Sequence, residues 1–132
     1  WTVATICWMI LIFYLSSLSG QELDHQFHPN PVSWIVHVVL FALLAVLLQL
    51  AIRGWHFEIN LCCVIAVAAF CSLFGISDEY HQSFVTGRQA TVADALINSL
   101  SSMISAALMW LISRSTSSKF CRYRTVESKK LD

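Results

Sequence analysis

Four long stretches that are almost free of charge constrain this chain more than any other feature. Residues 1–18, 32–52, 57–76 and 92–112 each approach the roughly 20 apolar residues that an α-helix needs to cross a hydrocarbon core about 30 Å thick. None of the four contains proline, and only Gly75 interrupts a run, near its end. Pro29 and Pro31 precede the second run, where a helix can begin and a missing amide hydrogen costs nothing. The spacing predicts an all-α polytopic membrane protein, a compact bundle of four transmembrane helices over residues 1–112, followed by a polar, basic tail over 113–132. Residues 2–18 are longer and less broken than the h-region of a signal peptide, about 7–15 residues, and read as a span.

Composition agrees. The chain is 57% hydrophobic and 12% charged, against roughly 25% charged for soluble domains, and its 132 residues are too few for two such domains. Its formal net charge is zero, which gives no footprint for nucleic acid. Cys7, Cys62, Cys63 and Cys71 fall inside the apolar runs and Cys121 in the basic tail, so a disulfide framework is not expected. Cys62 and Cys63 point to different faces of a helix and read as small apolar packing residues.

Orientation follows from lysine and arginine. Arg114, Lys119, Arg122, Arg124, Lys129 and Lys130 lie in the tail and Arg53 in the second connection. With four spans those segments share one side, and only Arg88 lies on the other. The expected arrangement has both termini cytoplasmic and the first and third connections outside.

The outer side then collects most of the remaining polar chemistry. The first connection supplies Glu22, Asp24, His25 and His28, and His37 lies about a turn inside the second helix. The third run leads into Asp78, Glu79, His81 and Gln82, followed by Gly87 and Arg88. The fourth helix opens with Asp94 and Asn98, continued by Ser101 and Ser105 as one stripe. Ser72, Gly75, Glu79 and Gln82 lie near one face of the third helix. An Asp facing lipid at mid-span costs about 2.5–3.5 kcal/mol, so these two polar faces are expected to meet in a wet, acidic pocket. Arg88 is its natural counter-ion, and the expectation is an approach to Glu79 or Asp94.

Simpler readings stand beside these. The acids and histidines of the first connection fit an ordinary solvated loop, and His56 and Glu58 a cytoplasmic interface. Ser101 and Ser105 fit close helix packing, His37 fits a hydrogen-bonded interior histidine, and the whole polar cluster could be architectural.

The run Asp78-Glu79-Tyr80-His81-Gln82-Ser83-Phe84-Val85-Thr86-Gly87-Arg88, with Asp94 and Asn98 after it, resembles the signature of the VanZ-like family. That signature is D-E-x-x-Q-x-F-x-P-x-R, with an Asp six residues on and an Asn four after that. Here Thr86 stands where Pro is usual, and Ser101 and Ser105 stand where Gly is usual. Tyr14-Leu15-Ser16-Ser17 and the position of His37 also fit, so the resemblance covers nearly the whole membrane region. It implies a bacterial inner-membrane protein of the cell envelope. The family's founding member is linked to resistance to the glycopeptide teicoplanin without the usual change in peptidoglycan precursor. No reaction is carried over.

Three functions are compatible with these residues. The first is a site that binds or modifies an anionic or hydroxyl-rich envelope lipid headgroup or lipid-linked precursor. Asp78, Glu79 and His37 are its catalytic candidates; Gln82, Arg88, Asp94, Asn98 and His81 are its binding candidates. Whether it turns over substrate is open, and no cofactor is assigned. A metal variant would use Asp78, Glu79, His81 and either His25 or His28, although adjacent carboxylates are not a specific metal motif, and no metal ligand is assigned. The second is a non-catalytic module that binds a partner protein, and homo-oligomers fit it. The third is transport through Asp94 and His37, which the lack of a repeated second half disfavours.

Overall fold

A computed structural model describes residues 1–19, 31–54, 59–88 and 90–128. Among them are four helices and no strand: α1 (Thr2–Ser17), α2 (Pro31–Gly54), α3 (Leu61–Gln82) and α4 (Val92–Ser128). Three segments are long and apolar enough to cross a membrane, Trp34–Gly54, Leu61–Gln82 and Val92–Ser115, and α1 is a shorter apolar helix of 16 residues. Glu22, Asp24, His25, His28, His56 and Glu58 lie outside the described residues.

Each helix buries one stripe and shows apolar side chains elsewhere. In α1 the buried residues are Thr5, Ile12 and Ser16; in α4 they are Asn98, Ser102 and Ala106, one turn apart. Phe41, Leu44 and Ala45 of α2, Val64, Val67 and Cys71 of α3, and Ala106 of α4 form the core with Ile12. Leu73, Ile76, Leu100, Ile104, Leu108 and Ile112 stay exposed. Water would penalise such a surface, and acyl chains would not.

The arrangement is a three-helix centre with one helix at its edge. The helices α2, α3 and α4 pack against one another, and α1 packs on α2 and α3 without touching α4 among the described residues. With little hydrophobic force between helices in lipid, close approach and interhelical hydrogen bonds carry more weight. Gly75 allows the closest approach: a Cβ there would lie 2.9 Å from Asn98 Cβ and 3.2 Å from Phe41 Cε1. Gln49 Nε2 donates to Ala106 O and Ser105 Oγ to Ala42 O, each at 2.9 Å, tying α2 to α4. Trp8 Nε1 donates to Leu40 O at 2.9 Å and ties α1 to α2. Ser105 is thus a packing residue, whereas Ser101 bonds only Asn98 O of its own helix.

Two helices have bounds different from those the hydropathy predicts. The apolar run begins at residue 57, but α3 starts at Leu61 because the Asn60 side chain accepts the Cys63 N–H at 2.9 Å and caps it there. At its other end α3 continues six residues past Ile76, through Asp78, Glu79, His81 and Gln82. Three of those four are buried, so their polarity reflects a protein-facing end of a helix and not a loop. The helix α4 continues beyond residue 112 to Ser128.

Candidate functional site

The site lies at one end of the bundle, where the last turn of α3 meets the first third of α2 and the start of α4. Adjacent helical residues usually point apart, yet Asp78 and Glu79 are both buried, 4% and 6% exposed. Asp78 lies beside Ser16 of α1, and Glu79 reaches Thr91 at the start of α4. Asp78 Oδ2 accepts the Gln82 Nε2 hydrogen at 2.9 Å, one turn further along the same helix. Glu79 Oε2 accepts the Thr91 N–H at 3.3 Å, from the start of α4, where the exposed amides favour an anion.

Opposite them stands His37 of α2, 8% exposed. Its Nδ1 donates to Asn98 Oδ1 at 3.0 Å, since a carboxamide oxygen can only accept, and lies 3.9 Å from Glu79 Oε1. One ring nitrogen of His37, one oxygen of Asp78 and one of Glu79 all lie within 4.8 Å of one another. Asp78 Oδ1 and Glu79 Oε1 are buried without a hydrogen-bond partner, as is Asn98 Nδ2. Ser16 Oγ, also unpartnered, is close to Asp78 without reaching hydrogen-bonding geometry.

Arg88 does not form the expected ion pair with Glu79 or Asp94. Its Nη2 donates to Leu15 O at 2.8 Å and its Nε to Leu18 O at 3.2 Å, so the guanidinium caps the C-terminal end of α1. Leu15 O also accepts the Leu18 N–H at 3.4 Å as α1 ends, and the carbonyls there carry the negative end of the helix dipole, which a cation satisfies. Burial lowers the Arg88 pKa from its ordinary value, and the charges of Asp78 and Glu79 pull it back up. Arg88 therefore acts on the carboxylates at a distance.

The turn that delivers Arg88 also accounts for Thr86. Arg88 N donates to Val85 O at 3.1 Å, and Gly87 between them has φ 79°, a left-handed conformation suited to glycine. A bonded four-residue turn with a left-handed third residue is the type II pattern, in which proline is favoured second. Thr86 takes that second place, so the turn persists on the strength of Gly87.

Two other candidates stand apart from the cluster. His81 stacks on Phe13 of α1, with ring centroids 4.3 Å apart, and its Nε2 lies 3.0 Å from Ser17 Oγ. It is His37, and not His81, that joins Asp78 and Glu79. Asp94 closes the start of α4: Thr91 Oγ1 donates to Asp94 Oδ2 at 2.6 Å, and Asp94 N–H donates back to Thr91 Oγ1 at 3.1 Å. Its Oδ1 is buried and unpartnered, and its charge reaches Glu79.

Ser16 and Ser17 enter the sequence reading only through the family resemblance, and Thr91 has no place in its site. All three contact or adjoin the acid cluster or its neighbours. The adjacent serines closing an apolar helix, and a threonine three residues before Asp94, are the signals that could have found them.

These features define a helical membrane protein with a buried acid–histidine cluster at one end of its bundle. The chain belongs to the VanZ/LLP1 family, whose sequence profile matches residues 1–113. No curated protein and no solved structure matches it.

Proposed function

We propose that this protein binds or modifies an envelope lipid headgroup, or a lipid-linked precursor, at the outer leaflet of a bacterial inner membrane. The observation that carries this is the pair of buried, unpartnered carboxylate oxygens, Asp78 Oδ1 and Glu79 Oε1, beside His37. Leaving such atoms without a donor costs about 1–3 kcal/mol each or more, and a ligand carrying hydroxyl or amino groups supplies the donors. With Arg88 engaged by α1 carbonyls, the hydroxyl-rich side of the headgroup class fits better than a bare phosphate. Glu79 or Asp78 is suited to accept a proton from a ligand hydroxyl, and Asn98 positions the His37 ring alongside. The excess of lysine and arginine in the tail supports a site facing outside with both termini in the cytoplasm.

The test compares lipid and cell-wall precursor profiles from cells expressing the wild type, Glu79→Gln or Asp78→Asn at matched levels. Altered profiles, or a specific lipid retained by purified wild type and lost from the variants, are expected. Identical profiles with no retained lipid would favour a partner-binding module. That second reading draws on Arg88, His81 and Asp94, which all hold structural elements together. Under it, Glu79→Gln lowers accumulation of the protein and leaves envelope chemistry unchanged.

A further inference from the structure

We infer that His37, Asp78 and Glu79 form a binding site for one divalent transition-metal ion of the zinc or manganese class. The three donors come from two helices and lie within 4.8 Å of one another. In each carboxylate one oxygen is held, by Gln82 or by the Thr91 N–H, while the other is buried and unpartnered. Both side chains are more than nine-tenths buried. An orienting contact on one oxygen and a free lone pair on the other is the arrangement of a metal-binding carboxylate with its outer support. The bond from His37 Nδ1 to Asn98 orients the ring in the same way and leaves Nε2 as its ligating nitrogen.

Charge points the same way. The two adjacent buried carboxylates have no contact with Arg88, and His37 Nδ1 stays 3.9 Å from Glu79 Oε1, beyond hydrogen-bonding distance. A doubly charged cation offsets both anions at once, where a single proton would offset one. The donor set selects the class. Imidazole with carboxylates suits zinc, manganese or ferrous ions, whereas magnesium and calcium take oxygen donors and sulfur-rich sets favour zinc or copper. Tetrahedral bonds of about 2.0–2.1 Å set donors roughly 3.3 Å apart, so binding draws the three side chains together by about an ångström. Three protein ligands leave coordination positions open, the pattern of reactive rather than purely structural sites. The ion takes the same two carboxylate oxygens to which headgroup donors are assigned above, so it does not depend on that ligand, and with the ion bound a headgroup oxygen is held at an open coordination position instead.

The full chain, purified in detergent and stripped with a chelator, is dialysed against zinc or manganese chloride with magnesium in excess. Retained metal is then measured by elemental mass spectrometry. The wild type should hold about one ion per chain, and the ion should raise its thermal midpoint in proportion to the logarithm of free metal. His37→Ala, Asp78→Asn and Glu79→Gln should each weaken retention at least about tenfold, the loss typical of even an outer-shell defect. A His25→Ala/His28→Ala double variant should bind as wild type does. No retention and no midpoint shift in the wild type overturns the proposal without any variant having to fold. Retention that survives the three cluster substitutions and disappears with His25 and His28 overturns it too. Metal bound without a change in lipid profile leaves the ion standing and removes only the headgroup; retained lipid without metal does the reverse.

Discussion

At the scale of single residues, two contacts decide how the acid end is held. Arg88 reaches two carbonyls of α1 with separate nitrogens, 2.8 and 3.2 Å away. A lysine offers a point charge on a stem and cannot reproduce that fork. Arg88→Lys is therefore expected to lose one charge-assisted hydrogen bond, worth about 1.5–3 kcal/mol, with Arg88→Met losing both. Thermal unfolding in detergent measures this, and wild-type stability in Arg88→Lys would refute the capping role. Gly75 is the other. A methyl group there meets Asn98 Cβ at 2.9 Å, and neither backbone can yield without parting α3 from α4. Gly75→Ala should cost about 1–3 kcal/mol as an overpacked site, and should disturb Asn98 and through it His37. Loss of stability accompanied by weaker metal retention is the expected pair of readouts.

At the scale of elements, the turn after α3 is set by one glycine. Thr86→Pro places the residue favoured second in a type II turn where no hydrogen bond from the Thr86 amide is seen. It should be neutral or stabilising by about 0.4–1 kcal/mol, chiefly through the unfolded chain. Gly87→Ala, at φ 79°, should destabilise by a similar amount or more and move Arg88 off α1. Measuring both by thermal unfolding checks the turn, because a non-turn conformation predicts no such opposition. The elements were also where the sequence was least readable. Hydropathy located each membrane segment, since lipid exposure demands apolar residues over a known length. It stopped α3 at Ile76, because polarity marks loops and buried polar helix ends alike, whereas helical spacing from Ser72 and Gly75 already put Glu79 and Gln82 on that helix. The charge pattern in turn gave Arg88 a carboxylate partner, since backbone carbonyls of another helix leave no trace in residue identity. Chain proximity put His81 beside Asp78 and Glu79 in the metal variant, and the packing instead turns His81 toward Phe13 and brings His37 to them.

At the scale of the molecule, the proposed site faces outside only if the basic tail is cytoplasmic. In a background without native thiols, Thr86→Cys should react with an impermeant reagent in intact cells, and Ser117→Cys only after lysis. The reverse pattern would put the acid cluster on the cytoplasmic side, where a headgroup of the outer leaflet could not reach it. The family signature made the site residues readable as a group, from Asp78 to Asn98. Their division into an inner set and a supporting set depended on how α1 sits against α3.

That seat of α1 has a consequence for how the protein is made. The acceptors at its end, Leu15 and Leu18, wait for a guanidinium encoded 73 and 70 residues later. The helix α1 thus stays incompletely fastened until α3 and the turn beyond it have emerged. The same later segment carries Asp78, Glu79 and Arg88, so the docking of α1 and the completion of the acid cluster become a single event in biogenesis. A nascent chain halted before Arg88 would hold α1 by Trp8, its apolar stripe and the His81 contacts with Phe13 and Ser17, with the end of the helix uncapped.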